Sequence, residues 1–92
     1  MNTKTLHLRI YGIVQGVGFR VYMQGKARKL DVNGWVRNRR DGSVEAIAHG
    51  ESAAVDAMLE WTRRGPRNAR VSEVTIDEAN GDYSGFEVRP TE

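Results

Sequence analysis

The sequence contains no cysteine and only 2 prolines among its 92 residues. The absence of thiols excludes disulfides, zinc knuckles and thiolate nucleophiles. No apolar run approaches the ~20 residues of a membrane helix, and the start, MNTKTLHLRIYG, has no signal-peptide h-region. We therefore expect a single domain over residues 1–92, a monomer in the cytoplasm with no membrane partner.

An excess of charge of one sign is also missing. The 14 basic and 12 acidic residues leave a formal net charge of +2. A slightly basic chain suits an anionic ligand, but it lacks the blocks of like charge that are typical of nucleic-acid-binding tails. Small anions and nucleic acids therefore both stay open as ligands on composition alone.

The spacing of apolar residues switches between the two-residue repeat of strands and the 3.6-residue repeat of helices. Strands are predicted from Leu6 to Val14 and at NGWVRN (33–38), SVEAIAHG (43–50), RVSEVTID (70–77) and GFEVR (85–89). Two helices are predicted, with Phe19, Tyr22, Met23, Ala27 and Leu30, and then Val55, Met58, Leu59 and Thr62, directed inward.

Turn and cap residues mark the limits of these elements. The dipeptide DG at 41–42 predicts a tight hairpin, because both residues tolerate positive φ. Ser52 is the predicted N-cap of the second helix, and GP at 65–66 ends that helix. The apolar alternation of the fourth strand slips between Val71 and Val74, which indicates a β-bulge.

The resulting order, β-α-β-β-α-β with a short added strand, is that of the split βαβ, ferredoxin-like α+β sandwich. We expect two helices on one face of a four- to five-stranded, mainly antiparallel sheet. Strands 1 and 2 would run parallel through a right-handed crossover, with strand 3 between them and antiparallel to both. The turn after strand 1 and the end of strand 2 would then meet at one edge, ~10 Å apart.

The turn VQGVGFR, Val14 to Arg20, is the strongest candidate for a binding site. The backbone N–H groups of residues 15–19, curled at a helix N-terminus with two glycines, form a nest for an anion. Arg20 adds a fork of donors that suits phosphate, and Asn38 ends the strand that reaches the same edge. The turn lacks the G-x-x-x-x-G-K-[ST] motif and the third glycine of a dinucleotide fold.

Two segments, IYGIVQGVGFR (10–20) and GWVRNRRDGSVEAIAHG (34–50), resemble the two signatures of the acylphosphatase family. The resemblance runs the length of the chain and implies an enzyme that hydrolyses the carboxyl–phosphate bond of acyl phosphates without metal or cofactor. It assigns phosphate binding to Arg20 and water positioning to Asn38. The implied phosphate-binding loop comprises Gln15, Gly16, Val17, Gly18, Phe19 and Arg20. Outside both motifs, Asp31 replaces a glycine that many relatives have, and Asp tolerates the left-handed conformation better than most residues.

The chemistry of acyl phosphates limits which catalytic groups an enzyme needs to hydrolyse them. The conjugate acid of the leaving carboxylate has a pKa near ~4, so no general acid is needed. The turn also matches the C-x5-R cradle of cysteine phosphatases, but Val14 stands in place of the cysteine. We therefore expect direct attack by an oriented water without a phosphoenzyme. A phosphoryl oxygen would take the water's proton, and inorganic phosphate would be both product and competitive inhibitor.

Other interpretations of these residues stay open. Asn38 would equally serve as a hairpin cap that bonds the backbone. His7 and His49 lie on strands with no second ligand at metal spacing, and we assign them no role. Arg39 and Arg40 are expected to be solvated, although they could also raise the potential near the site.

Two rival functions come from other protein classes. The same fold serves RNA-recognition modules, which stack bases on aromatic residues of the two central strands, and the third strand here has no aromatic residue. We therefore expect no nucleic-acid partner. The second rival is a non-catalytic phosphate-sensing module, similar to the acylphosphatase-like domain of a hydrogenase-maturation carbamoyltransferase. The length of the chain, with no partner domain after it, argues against that function.

Overall fold

The computed structural model describes residues 2–92, and its elements follow the predicted order. They are β1 (Thr3–Ile13), α1 (Phe19–Leu30), β2 (Asn33–Asn38), β3 (Val44–Glu51), α2 (Ser52–Arg64), β4 (Arg70–Glu78) and β5 (Phe86–Val88). The sheet order is β4-β1-β3-β2-β5. β3 runs antiparallel to both β1 and β2, β4 antiparallel to β1, and β5 parallel to β2. The predicted ferredoxin-like α+β fold is confirmed, and β5 extends the sheet beyond β2.

The core lies between the two helices and one face of the sheet. Along β1, Leu6, Leu8 and Ile10 are buried against the helices, while His7 and Arg9 point to the opposite, open face. The helices bury Phe19, Met23 and Ala27 from α1, and Val55, Met58 and Thr62 from α2. Neither helix of residues 2–92 is long and apolar enough to cross a membrane.

Two side-chain predictions in the helices are wrong. Tyr22 does not face the core but is 61% exposed, because its neighbour Met23 takes the core position on that turn of α1. Ser52 is not the N-cap of α2 but its first helical residue, and Glu51 before it makes no side-chain cap bond. Contacts with the sheet determine where β3 ends and α2 begins. β3 continues to Glu51, and the Ser52 N–H donates to the carbonyl oxygen of Asn2 at 2.9 Å.

The predicted β2–β3 hairpin forms. Of the dipeptide at 41–42, only Gly42 has a positive φ, 94°. The Arg39 N–H donates to the Ser43 carbonyl oxygen at 2.8 Å, so that residues 40–42 form the loop. Asp41 contributes through its carboxylate, which accepts hydrogen bonds from the Ser43 N–H and hydroxyl. Asp41 does not adopt a positive φ, and its side-chain contacts shape the turn.

The predicted β-bulge in β4 is confirmed. The register between β1 and β4 shifts between Tyr11 and Gly12, which leaves Ser72 as the extra residue of β4. Gly12 has a φ of 124°, and a Cβ at this position would lie 2.1 Å from the Arg70 carbonyl oxygen. The bulge thus brings the two backbones so close that only glycine fits.

Each helix is followed by a residue with a positive φ. Asp31 takes φ 57° and ψ 40° directly after α1, so aspartate does adopt the left-handed conformation there. The next N–H, of Val32, donates to the Ala27 carbonyl oxygen at 2.8 Å and closes the helix. Gly65 ends α2 with φ 70°, as predicted. These two stops direct the chain from α1 into β2 and from α2 toward β4.

Candidate active site

A small cavity opens where the turn between β1 and α1 faces the end of β2. Its volume is about 100 Å³, and its walls are Val14, Gly16, Gly18, Phe19, Arg20, Val21 and Asn38. Arg20 and Asn38 are thus brought to one cavity, as the parallel arrangement of β1 and β2 around β3 requires. Gln15 and Val17, which the sequence also placed in the loop, do not line it.

The turn leaves a row of backbone donors without protein partners. Gly16 and Gly18 have φ values of 75° and 79°, and α1 begins directly afterwards at Phe19. Within residues 2–92, the N–H groups of residues 15–20 donate no hydrogen bond to the protein. The first turn of α1 contains no acidic side chain that would compete with a bound anion. The turn therefore combines free amides with the positive end of a helix dipole.

Space for an anion exists at the middle of the turn. A Cβ built on Gly16 would meet no atom within 4 Å, so nothing in the protein fills that position. A Cβ on Gly18, in contrast, would lie 3.2 Å from Cε2 of Tyr22. The ring of Tyr22 therefore lies against the turn, on the outside of the core.

Arg20 differs from other arginines near this end of the sheet in having no acidic partner. Arg9, Arg37 and Arg39 each lie within 2.8–3.3 Å of a carboxylate oxygen. No ion pair of residues 2–92 involves Arg20. Arg20 lines the cavity, and its unpaired guanidinium remains available for two oxygens of an anionic ligand.

Asn38 is held by its backbone, which leaves its side chain unengaged. It pairs with Val44 on β3, and its carbonyl oxygen accepts a hydrogen bond from the Glu92 N–H at 3.1 Å. The side-chain hydrogen bonds that shape the hairpin come from Gln15 and Asp41 instead. The structure therefore gives no contact for the hairpin-cap interpretation of the Asn38 amide.

Gln15 acts on the hairpin through its side chain. Its Nε2 donates hydrogen bonds to the carbonyl oxygens of Arg39 at 2.7 Å and Ser43 at 2.9 Å. This contact had no signal in the sequence, because its acceptors are backbone groups that any residue supplies. Val17 packs its side chain against the core, so that both residues face the site only through their backbone.

The carboxylate of Asp41 stabilises the hairpin electrostatically. Hydrogen bonds from the Ser43 hydroxyl and N–H, followed by the contact with Arg9, lower the pKa of Asp41 to about 2. The Arg9 guanidinium contributes one nitrogen at 2.8 Å to Asp41 and another at 2.6 Å to the Ser43 hydroxyl. The turn that follows Asn38 is thereby held by an ionised carboxylate at neutral pH.

A charged cluster on the open face of the sheet surrounds Glu45. Its carboxylate lies 2.6 Å from His7, 2.8 Å from Arg37 and 3.3 Å from Arg39. Burial raises the pKa of Glu45, but hydrogen bonds from His7 and Arg37 outweigh it and lower the pKa. Arg39 is therefore paired on the open face rather than solvated, whereas Arg40 is exposed.

Trp35, an aromatic residue of the open face, offers little to a stacking nucleobase. Trp35 is only 8% exposed, because the guanidinium groups of Arg37 and Arg89 lie 4.8 Å and 4.7 Å from its ring centre. The ring is therefore covered rather than presented to solvent. Within the part of the chain that the structure describes, no three His, Cys, Asp or Glu side chains come together to hold a metal ion.

Comparison with known proteins finds matches to one family along nearly the whole chain. The family model named Acylphosphatase matches residues 6–88, which include the turn and Asn38. An acylphosphatase of Thiobacillus denitrificans is 55% identical over 94% of this chain and 97% of its own length. The structure of an acylphosphatase from Coxiella burnetii matches with a TM-score of 0.91 and 42% identity, over 96% of this chain and 94% of that one. A full-length HypF in the phosphate- and nucleotide-bound form matches at a TM-score of 0.89 and 26% identity, but over only 12% of its own length.

Proposed function

This chain belongs to the acylphosphatase family, whose members hydrolyse acyl phosphates, and we propose that it does so by direct attack of one oriented water on phosphorus. In this proposal Arg20 binds the phosphoryl group and Asn38 orients the water. The observation that carries it is that Arg20 and Asn38 line one cavity of about 100 Å³. Neither side chain forms a hydrogen bond or an ion pair within residues 2–92.

The phosphoryl group lies in the turn between β1 and α1. Its oxygens accept hydrogen bonds from the free N–H groups of residues 15–20, and the helix dipole favours their charge. The open space beside Gly16 allows the close approach that these bonds need. Arg20 adds a bidentate contact and neutralises charge that the transition state spreads over the equatorial oxygens.

The water attacks from the side of Asn38. The oxygen of the water forms a bond to phosphorus while the bond from phosphorus to the acyl oxygen breaks. The electron pair of the broken bond leaves with the carboxylate. The conjugate acid of that carboxylate has a pKa near ~4, so it departs without a proton. The attacking water gives its proton to a phosphoryl oxygen. The Asn38 amide contributes by positioning the water in line with the breaking bond.

The composition of the cavity supports this route. None of the side chains that line it is a carboxylate, an imidazole, a hydroxyl or a thiol. The position matching the cysteine of cysteine phosphatases holds Val14, which is 1% exposed. The walls thus offer no group to form a phosphoenzyme and no side-chain base, which supports water as the nucleophile and the substrate as the proton acceptor.

The mechanism is tested by hydrolysis in oxygen-18 water combined with rapid quenching. We expect one labelled oxygen in inorganic phosphate, none in the carboxylate, and no protein-bound phosphate at any time. Activity should also survive exhaustive dialysis against EDTA. Label in the carboxylate would place the attack on carbon, a phosphorylated protein would contradict direct attack, and activity restored only by added metal would contradict a site built from Arg20 and Asn38 alone.

A further inference from the structure

Two large apolar side chains lie exposed directly beside the candidate cavity. Val21 is 69% exposed and Tyr22 61%. Val21 forms part of the cavity wall, and the Tyr22 ring lies against Gly18 of the turn. Exposed apolar surface contributes nothing to the stability of the fold, and grouped exposed apolar side chains are typical of binding surfaces. Their position at the cavity therefore points to a ligand.

A second and larger cavity begins at the same side chains. It has a volume of about 330 Å³ and is lined by Val21, Tyr22, Gly25, Lys26, Lys29 and Trp61. We call it the α1–α2 groove, because Trp61 on α2 closes the side opposite α1. Val21 is common to both cavities, so the groove adjoins the candidate site.

The sizes of the two cavities suit different parts of one substrate. The first, at about 100 Å³, holds roughly three times the ~30 Å³ of a water molecule. That is room for a phosphoryl group and little more, so the acyl group must extend outside this cavity. The groove, at about 330 Å³, lies within the ~300–1,000 Å³ range of small-molecule sites.

The groove also carries positive charge without partners. Lys26 and Lys29 line it, and no ion pair of residues 2–92 includes either ammonium. They lie five and eight residues beyond Val21 on α1, which is roughly 7–12 Å along the helix axis. We call the turn between β1 and α1 the phosphate turn. A ligand that extends from this turn along α1 thus meets the apolar side chains first and the two lysines second.

We propose that the α1–α2 groove binds the acyl group of the substrate, and favours acyl groups with a short apolar chain that ends in a carboxylate. This rests on the proposed function, since the phosphoryl group must occupy the turn. Val21 and Tyr22 contact the chain, and Lys26 and Lys29 pair with the terminal carboxylate. The preferred substrates are accordingly monophosphates of dicarboxylic acids.

The charge preference is tested with glutaryl monophosphate and pentanoyl phosphate, whose acyl chains have the same length and differ in the terminal carboxylate. For the wild type we expect kcat/KM to be about threefold to tenfold higher for the glutaryl substrate at low ionic strength. The ratio should fall to near one in a Lys26→Gln/Lys29→Gln variant, and in about 0.5 M NaCl. Arg28→Gln, an exposed charge removal on the same helix outside both cavities, should keep the ratio.

The apolar contact is tested with pentanoyl phosphate and acetyl phosphate. Tyr22→Ala should lower kcat/KM for the pentanoyl substrate at least about threefold more than for the acetyl substrate, because only the longer chain reaches the ring. The exposure of Tyr22 makes a folded variant the expected outcome, which thermal unfolding verifies. Ile76→Ala, at an exposed apolar position on β4, is the control and should affect both substrates equally.

The outcomes separate the two proposals. If the wild-type protein hydrolyses none of the three acyl phosphates, the proposed function itself fails. If it hydrolyses them, but the glutaryl to pentanoyl ratio is unchanged by the lysine substitutions and by salt, the carboxylate preference is overturned. If Tyr22→Ala changes the acetyl and pentanoyl rates equally, the groove does not hold the acyl chain.

Discussion

The side-chain amide of Gln15 holds the backbone of Arg39, with Nε2 donating to the carbonyl oxygen at 2.7 Å. The same nitrogen donates a second hydrogen bond, of 2.9 Å, to the carbonyl oxygen of Ser43. Arg39 directly follows Asn38, and Gln15 begins the phosphate turn. One amide group thus ties together the two parts of the site that the proposed mechanism needs.

Replacing Gln15 with leucine removes both bonds and keeps the volume of the side chain. We expect a loss of about 1–3 kcal/mol in the free energy of unfolding, and weaker inhibition by phosphate because the turn is no longer fixed to the hairpin. Gln24→Leu is the matched control, since the Gln24 amide donates to the Phe86 carbonyl oxygen at 2.8 Å, outside the candidate cavity. Urea unfolding and phosphate inhibition are measured for both. Equal inhibition in the two variants would contradict a positioning role for Gln15.

In the proposed mechanism, Arg20 contacts the phosphoryl group in the ground state and in the transition state. Arg20→Ala should weaken competitive inhibition by phosphate and lower kcat/KM by about 10³-fold or more. Arg20→Lys should recover only part of this loss, because an ammonium cannot form the bidentate contact. Initial rates at varied phosphate concentration check both variants. Near-normal turnover in the alanine variant would place the site elsewhere.

In the proposed mechanism, Asn38 acts on the attacking water rather than on the phosphoryl group. Asn38→Ala should lower kcat by about 10²-fold or more and leave phosphate inhibition close to that of the wild type. The melting temperature should hardly change, because the side chain takes no part in shaping the hairpin. Asn38→Asp should weaken phosphate binding as well, through repulsion between like charges. An alanine variant that melts lower but turns over normally while folded would remove Asn38 from the mechanism.

Gly16 and Gly42 form a matched pair of glycines. Their φ values are 75° and 94°, and a Cβ on either would meet no atom within 4 Å. Alanine at either position should cost about 1–2 kcal/mol of backbone strain. Only Gly16→Ala places a methyl group in the phosphate turn, so only this variant should also bind phosphate more weakly. Thermal unfolding measures the strain, and phosphate inhibition measures the binding. Equal phosphate inhibition in the Gly16→Ala and Gly42→Ala variants would show that phosphate does not bind beside Gly16.

The low pKa of Asp41 predicts a defined pH dependence of stability. Folding lowers this pKa from 3.8 to about 2, so that the unfolded chain binds the proton more readily. The stabilisation is complete above pH 3.8 and is lost as the pH falls toward 2. Asp41→Asn should therefore melt below the wild type near neutral pH, with the difference shrinking toward about pH 2. A difference in melting temperature that stays constant with pH would show that ionisation of the Asp41 carboxylate does not stabilise the protein.

The sequence predicts the fold where periodicity and cap residues agree. The alternation of Leu6, Leu8 and Ile10 defines β1, and the parity slip in β4 correctly indicates the bulge at Ser72. Strand order then brings Arg20 to the edge where β2 ends, because β1 and β2 must lie parallel on either side of β3. Local rules plus the handedness of the crossover are sufficient for this part of the site.

Other features depend on tertiary contacts that the sequence does not encode locally. Tyr22 and Met23 are adjacent on α1, and helical spacing alone does not decide which of them enters the core. The sequence does not predict the position of β5 in the sheet, because its three residues are too few to specify a pairing partner. The contacts of Gln15 are made to backbone carbonyls, whose positions depend on the width of the hairpin turn.

The bulge at Gly12 and Ser72 also bears on how copies of this protein behave beside one another. β4 is one edge of the sheet, and an unpaired edge is a template for strands of other molecules. Here the bulge twists that edge, and Glu73, Asp77 and Glu78 add like charge along it. The other edge, β5, offers only three residues. A glycine required by close backbone packing therefore also protects the sheet against edge-to-edge aggregation.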